Sequence, residues 1–420
     1  MAWTEILDTD DFSFGYAVQS SGLNTAGTSF VWLDALMPQV TSEVGRVESK
    51  RARQSRGAGS RPSVGHVWYT IAVRMKMHGQ PDDYDHTTDS PALVGGWKFL
   101  EALGGQALVA YAATSLSAAA DAKTLTLSGQ AKLGCLLATA GPSGLVNAMG
   151  WVKTITGVGP YDHGLQEDVA ALPVLGSDRV PTLTLFPGST QPSPLTLRVT
   201  GGDASQDIRF LGCYLQQLTI APDQDDVLWG DFTLRCYGGK VEDSSGGLQT
   251  VDGMLALRPM LARGGARIVL ASNVLTSLSD GTADPSGTCD VRDLQLSWSF
   301  KHYVVRCGSG NEGVGDCIVR APTVRASFSV PKISDFYDGG ENIFERAQLE
   351  ETDLSFSLYL GNTPGRLFAF RMPAGMVMEW PDWTGKDEGI HLPVVLEAGH
   401  YAGDGASTDA GNKTSAIALG

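Results

Sequence analysis

Apolar and polar side chains alternate without a break from His66 to His78, where the chain reads HVWYTIAVRMKMH. Val67, Tyr69, Ile71, Val73, Met75 and Met77 fall on one face of an extended strand. His66, Trp68, Thr70, Ala72, Arg74, Lys76 and His78 fall on the other. Thirteen residues of alternation exceed the usual strand of about five or six, which predicts one wall of a large sheet or barrel. Ahead of it, FVWLDALMPQVTSEVG reads as another long strand. RVESKRARQSRGAGSRPSVG, between the two, has no apolar period and reads as a long exposed loop. Behind it, LVGGWKFLEALGG spaces Trp97, Phe99, Leu100 and Leu103 near helical intervals and stops at Gly104 and Gly105. PTLTLF, PLTLRVTG, DIRFLGCYLQQLTIAP and LWGDFTLRCYGG predict further strands.

The second half repeats this order. CDVRDLQLSWSFKHYVVR and CIVRAPTVRASFSVP read as two long strands around the Gly-rich loop CGSGNEGVGD. ENIFERAQLEE reads as a short helix, and TDLSFSLYLGN, RLFAFRM and HLPVVLEAGHY as strands. Long strand, exposed loop, long strand, short helix and further strands in each half read as an internal duplication of architecture. The expected organisation is an N-terminal arm at 1–29, a first domain at 30–255, a second at 256–402 and a flexible tail at 403–420.

Composition narrows the function classes. With 42% hydrophobic and 18% charged residues, the 420-residue chain has the makings of a folded protein of two or three domains, and its 51 glycines suit many turns. A net charge of -15 argues against binding nucleic acid by phosphate neutralisation. Cys135, Cys213, Cys236, Cys289, Cys307 and Cys317 include no C-x-x-C pair and no zinc spacing. They are expected to be reduced and to act as small hydrophobes, although Cys307 and Cys317 flank one loop and can pair. The start, MAWTEILDTDDFSF, lacks the basic and apolar regions of a secretory signal, and no apolar run is long enough to span a membrane. Synthesis and folding in a cytoplasm are expected. G-x-S-x-G, P-loop and H-E-x-x-H motifs are all missing, so neither an enzyme nor a cofactor is expected.

The polar faces of the long strands are the first candidate site. Thr70, Arg74 and Lys76 share one face. In the second half Asp293, Gln295, Ser297, Ser299 and Lys301 lie opposite Leu294, Leu296, Trp298 and Phe300, while Thr323, Arg325, Ser327 and Ser329 lie opposite Val324, Ala326, Phe328 and Val330. Such a face is an ordinary solvent face or the wall of a water-filled channel closed by several subunits. The second candidate is the loop carrying Arg46, Lys50, Arg51, Arg53, Arg56 and Arg61 with only Glu48 against them. It reads as a solvated loop, a nucleic-acid patch, or an interface loop that orders on assembly. Its acidic partners in the last case are Asp82, Asp83 and Asp85, or Asp223, Asp225 and Asp226.

The stretch from Val44 to Gly105 resembles the tail tube, or major tail, proteins of long-tailed bacteriophages. The resemblance rests on Glu43, Arg46, Gly57 and Arg61 around the loop, the strand His66 to His78, and GGWKFLEALGG. It extends to VPTLTLFPG and to RFLGCYLQQLTIAPDQDDVLWGDFTLRCYGG, and covers about half the chain. It implies a mainly β fold of two tandem β-sandwich or open-barrel domains, each with a short flanking helix and a long hairpin loop. It also implies a structural virion protein that self-assembles, without cofactors, into stacked rings. The stack is a hollow tail tube through which double-stranded DNA passes transiently. By the same resemblance the partners are other copies of the chain, as homotrimeric pseudo-hexameric rings or as homohexamers, together with the tape measure, tail terminator and baseplate proteins. No membrane is involved; the protein would be built in the host cytoplasm and reside in the virion tail. The family places the basic loop at ring contacts. The competing expectation is a tail adhesin or glycan-binding β-module, for which Trp229, Trp380 and Trp383 are the available aromatics.

Overall fold

The computed structural model describes residues 12–20, 22–23, 25–47, 63–81, 83–109, 116–118, 124–127, 133–140, 146–156, 161–165, 179–187, 191–201, 207–223, 227–243, 247–249, 257–259, 267–271, 292–306, 314–330, 337–338, 341–351, 353–361, 363–378, 384–386, 389–399 and 414–420. β1 (Phe12–Val18), β2 (Val31–Leu33), the hairpin β3 (Gln39–Val47) and β4 (Ser63–Lys76), and β5 (His78–Pro81) lead to α1 (Gly95–Ala102) and β6 (Gly105–Val109). Six strands then pair among themselves as a separate sheet: β7 (Leu116–Ala118), β8 (Thr124–Leu127), β9 (Leu136–Ala140), β10 (Val146–Thr156), β11 (Tyr161–Leu165) and β12 (Arg179–Val180). β13 (Leu183–Pro187), β14 (Leu195–Gly201), β15 (Asp207–Pro222), β16 (Leu228–Asp243), β17 (Leu257–Pro259) and β18 (Arg267–Ala271) follow. Next come β19 (Arg292–Ser299), the hairpin β20 (His302–Arg306) and β21 (Val314–Val319), β22 (Thr323–Val330), β23 (Tyr337–Asp338), β24 (Glu341–Asn342) and α2 (Ile343–Leu349). β25 (Leu354–Leu360), β26 (Phe368–Val377), β27 (Thr384–Lys386), β28 (Gly389–Ala398) and β29 (Ala416–Leu419) end the chain. The fold is mainly β, with large antiparallel sheets.

One pairing order occurs twice. In the first half it is β1–β14–β15–β16–β4–β3. In the second it is β18–β25–β26–β28–β22–β19. Each half takes its strands in the same chain order, and a short helix separates the third from the fourth. The ends of the fourth strands also correspond. Leu195 at the start of β14 faces Cys213, and Leu354 at the start of β25 faces Gly375. Cys213 in turn faces Cys236 on β16, and Gly375 faces Ala398 on β28.

The halves are joined. Beyond Cys213, β15 passes a bulge and pairs Gln217–Ile220 with Ser299–Leu296 of β19. β29 lies between β13 and β26. One apolar core takes Phe14, Phe99 and Phe232 from the first half and Trp298, Phe328, Phe356 and Phe370 from the second. Across the boundary, the Trp97 ring of α1 stacks on Phe368 of β26 at 5.7 Å between centroids. Burying rings of this size contributes about 1.5–3 kcal/mol each, so helix position and sheet junction stabilise one another.

Several expectations need correcting. The proposed arm at 1–29 contains β1, whose Phe14 and Tyr16 are core residues; apolar residues two apart at 12, 14 and 16 are a strand signal within a polar stretch. The run FVWLDALMPQVTSEVG is two strands, β2 and β3. Ala35 bridges Met75 between them, and Pro38, which has no N–H for a ladder, precedes β3. Both long strands of the second half are broken as well. The Phe300 N–H donates to the Gln216 carbonyl, and Pro322 interrupts the return, so β20 and β21 leave the main sheet as their own hairpin. The proposed flexible tail ends in β29, where the apolar run Ala416–Leu419 is fully buried. Cys213 and Cys236 form a disulfide rather than two thiols, because the antiparallel register sets them directly opposite, 3.9 Å apart at Cα. Cys317 is a buried thiol, and Cys289 and Cys307 lie outside the described residues.

Candidate functional site

Because β15 pairs with β19, the quartets β3–β4–β16–β15 and β19–β22–β28–β26 form one continuous run of strands. Period-two alternation sends Ile71, Val73, Phe232, Leu234, Leu296, Val324, Phe328, Val394 and Leu396 into the core. The opposite face carries Thr70, Arg74, Lys76, Gln217, Thr219, Asp231, Thr233, Arg235, Gln295, Ser297, Ser299, Thr323, Arg325, Ser327 and Glu397, all partly or fully exposed. The residues expected on the polar face are therefore on it, with three differences. Asp293 is exposed at a bulge of β19 with a left-handed backbone, out of the strand's alternation. Ser329 is buried, its hydroxyl donating to Asp293 Oδ2 at 2.9 Å. Lys301 sits at the break between β19 and β20, not within a strand.

The cations of this face are matched by carboxylates on neighbouring strands. Arg74 lies directly across from Asp231, with Nε 3.6 Å from Oδ1. Arg325 lies directly across from Glu397, with Nε 2.6 Å from Oε2. Arg235 donates to Glu43 through both terminal nitrogens, at 2.7 and 2.5 Å, and to Thr70 Oγ1 at 2.7 Å. The hydrogen bonds from Arg235 hold the Glu43 carboxyl below the usual carboxylate range and push the guanidinium up in turn. Burial raises Asp231, and Arg74 opposes that shift. In each pair at least one partner is half exposed or more, so each contributes no more than about 1 kcal/mol to stability. Their larger effect is on the surface potential, since each of these three arginines has a carboxylate beside it, while Lys76 lies against the Trp229 ring. Sequence reasoning found the cations but not Asp231, Arg235 and Glu397 as their company; the alternation of Asp231, Thr233 and Arg235 with Phe232 and Leu234 carried the signal.

The two ends of the run differ. The basic loop joins β3 to β4 at one end, and the 14 residues of β4 carry the chain about 46 Å away at roughly 3.3 Å per residue. At the far end Lys76 faces Trp229, next to the turn joining β15 and β16. Arg74 and Lys76 stack over the Trp229 ring at 4.8 and 5.6 Å. Asp223 closes that turn, accepting from the Val227 N–H and from Trp229 Nε1. Asp83 and Asp85 are exposed after β5, and Asp85 accepts from the Thr87 N–H and hydroxyl. Arg46 is in β3. Lys50, Arg51, Arg53, Arg56, Arg61, Asp82, Asp225, Asp226, Trp380 and Trp383 lie outside the described residues.

Where the polar face meets the β20–β21 hairpin there is a groove of about 660 Å³, lined among others by Trp68, Arg235, Tyr237, Phe300, Lys301 and Tyr303. The hairpin is pinned beside it. Tyr237 Oη and His302 Nδ1 are 3.0 Å apart, and His302 Nε2 is 2.7 Å from the Leu215 carbonyl. The carbonyl can only accept, so Nε2 carries the proton and Nδ1 accepts from the tyrosine. Burial keeps His302 below its ordinary range, raises Tyr214 and Tyr237, and pushes the Cys317 thiol up to about 12. Among the described residues no group of three or more His, Cys, Asp or Glu side chains is arranged to hold a metal ion, and no helix is long and apolar enough to cross a membrane. No family model and no curated protein matches this chain.

Proposed function

We propose that the protein is a structural subunit that joins edge to edge with copies of itself into rings, and that the rings stack into a tube conducting double-stranded DNA, as in the tail tubes of long-tailed bacteriophages. One observation carries this reading. In the first half the fifth strand, β15, runs past Cys213 to receive the second strand of the next unit, β19. In the second half the equivalent strand, β26, runs on past Gly375, where among the described residues it pairs only with β28; Met376 is exposed there on the polar face, across from Glu397. Among the described residues β3, the counterpart of β19, pairs only with β4. Among the described residues, an open donor edge at one end of the chain and an open acceptor at the other suit a head-to-tail contact that repeats the internal one, and such a contact forms a ring where its rotation closes.

Two tandem tube domains per chain then favour a homotrimer of six pseudo-equivalent units over a homohexamer. Six quartets, spaced about 4.8 Å between strands, enclose a bore about 37 Å across at the backbone, and wider with strand tilt. The polar face lines it. Small hydroxyl side chains and paired charges give passing phosphates few unneutralised cations to bind. The basic loop and the acidic Asp223 turn, at opposite ends of the run, suit head-to-tail stacking of rings. For the glycan-binding alternative, Trp229 already has its ring covered by two cations. The test is electron microscopy of the purified protein beside the double substitution Met376→Lys and Met378→Lys. Rings or tubes of the parent and dispersed, folded subunits of the variant are expected. Dispersed parent protein, or tubes of the variant, would defeat the proposal.

A further inference from the structure

The groove beside the β20–β21 hairpin holds an imbalance. Arg235 is committed to Glu43, and burial holds His302 below its ordinary range between Tyr237 and the Leu215 carbonyl. Lys301 is exposed and forms no ion pair among the described residues. Beside it are Tyr303, 57% exposed with Arg320 over one face of its ring at 5.0 Å, and Trp68, with Arg235 over its ring at 5.0 Å. The groove is open and its lining about half polar, with Glu43 set against Arg235 and Lys301; its aromatic rings and the Lys301 ammonium suit a segment that mixes apolar side chains with negative charge.

The first eleven residues of the chain, MAWTEILDTDD, have that character. They offer Trp3, Ile6 and Leu7 together with Glu5, Asp8, Asp10 and Asp11. They also have the reach. Phe12 pairs with Gly201 of β14, whose Thr200 pairs with Asp207 of β15, which faces Asp243 of β16. Three strand spacings of about 4.8 Å, then six residues down β16 to Tyr237, give a separation of about 25 Å. Eleven extended residues span about 36–40 Å. We infer that residues 1–11 bind this groove of their own chain, with Trp3 against the aromatic lining and the carboxylates against Lys301. The segment thereby ties the start of β1 to the junction between the two halves. This inference is independent of the tube reading, and its test uses dilute, unassembled protein.

The full chain would be made with the photo-cross-linker p-benzoylphenylalanine in place of Trp3, irradiated, and mapped by mass spectrometry. The expected product joins position 3 to Trp68 or to the segment 300–304 within one chain. Its yield should fall at least fivefold with Lys301→Glu and recover with Lys301→Arg. Cross-links confined to other sites, links only between chains, or a yield indifferent to Lys301→Glu would each overturn the inference. So would protection of Tyr303 from chemical labelling by a duplex oligonucleotide without any arm cross-link there, which would make the groove a nucleic-acid site.

Discussion

The two halves use one strand order for different ends. In the first, the edge beyond Cys213 is closed within the molecule, and Leu218 and Ile220 on β15 share the core with Leu296 and Trp298 on β19. In the second, the edge beyond Gly375 exposes Met376 and Met378. The first half also carries a disulfide where the second has Gly375 facing Ala398. On the core side Leu218, paired with Phe232 and flanked by β19, is buried, whereas Val377, paired with Leu396, is only half-buried.

The comparison can be broken from the closed side first. Trp298→Ala removes a ring lodged against Phe370 at the junction and should cost about 3–5 kcal/mol, read as a lower denaturant midpoint. Replacing both Cys213 and Cys236 by Ala makes the first half resemble the second at this pair. The cross-link spans 23 residues, and its loss should cost up to about 3 kcal/mol on the loop-entropy account. On the open side, Met376→Lys with Met378→Lys should change monomer stability by no more than about 0.5 kcal/mol while abolishing assembly.

A smaller effect sharpens the account of the polar face. Asp231→Asn and Glu397→Gln together leave Arg74 and Arg325 without their carboxylates. Duplex DNA should bind the variant more tightly at low salt, and each newly engaged phosphate should steepen the salt dependence by about 0.9. The smallest effect is in pH. Glu43 has a lowered carboxyl in the folded protein. Its contribution is present above the unfolded value near 4.5 and is lost as pH falls through the lower folded one. A titration should place the Glu43 carboxyl below the ordinary carboxylate range, and Arg235→Gln should return it to that range.

The sequence made the mainly β class, both helices and the facing of β4, β19 and β22 legible, because alternation is local and these strands bury one face. It did not make β1 and β29 legible. Each is a short apolar run inside a Gly- and Ser-rich stretch, and its burial depends on strands far away in the chain. The breaks at Phe300 and Pro322 were hidden for a related reason: alternation continues through both, and only the Phe300 N–H meeting Gln216 marks the departure of the hairpin. Charge pairing on the polar face depends on register between β4 and β16 and between β22 and β28, which no single strand specifies. The disulfide is a register effect too, since Cys213 and Cys236 meet only because β15 and β16 turn back through Asp223.

The central claim is that the open edge of the second half receives β3 of another copy. A cryo-electron microscopy map of the assembled protein tests this most directly. The account predicts β3 of one copy hydrogen-bonded beside the chain that follows Gly375 in the next, in the manner of β19 beside β15. A map in which β3 is covered by its own chain, or in which copies meet elsewhere and leave that edge bare, would contradict it.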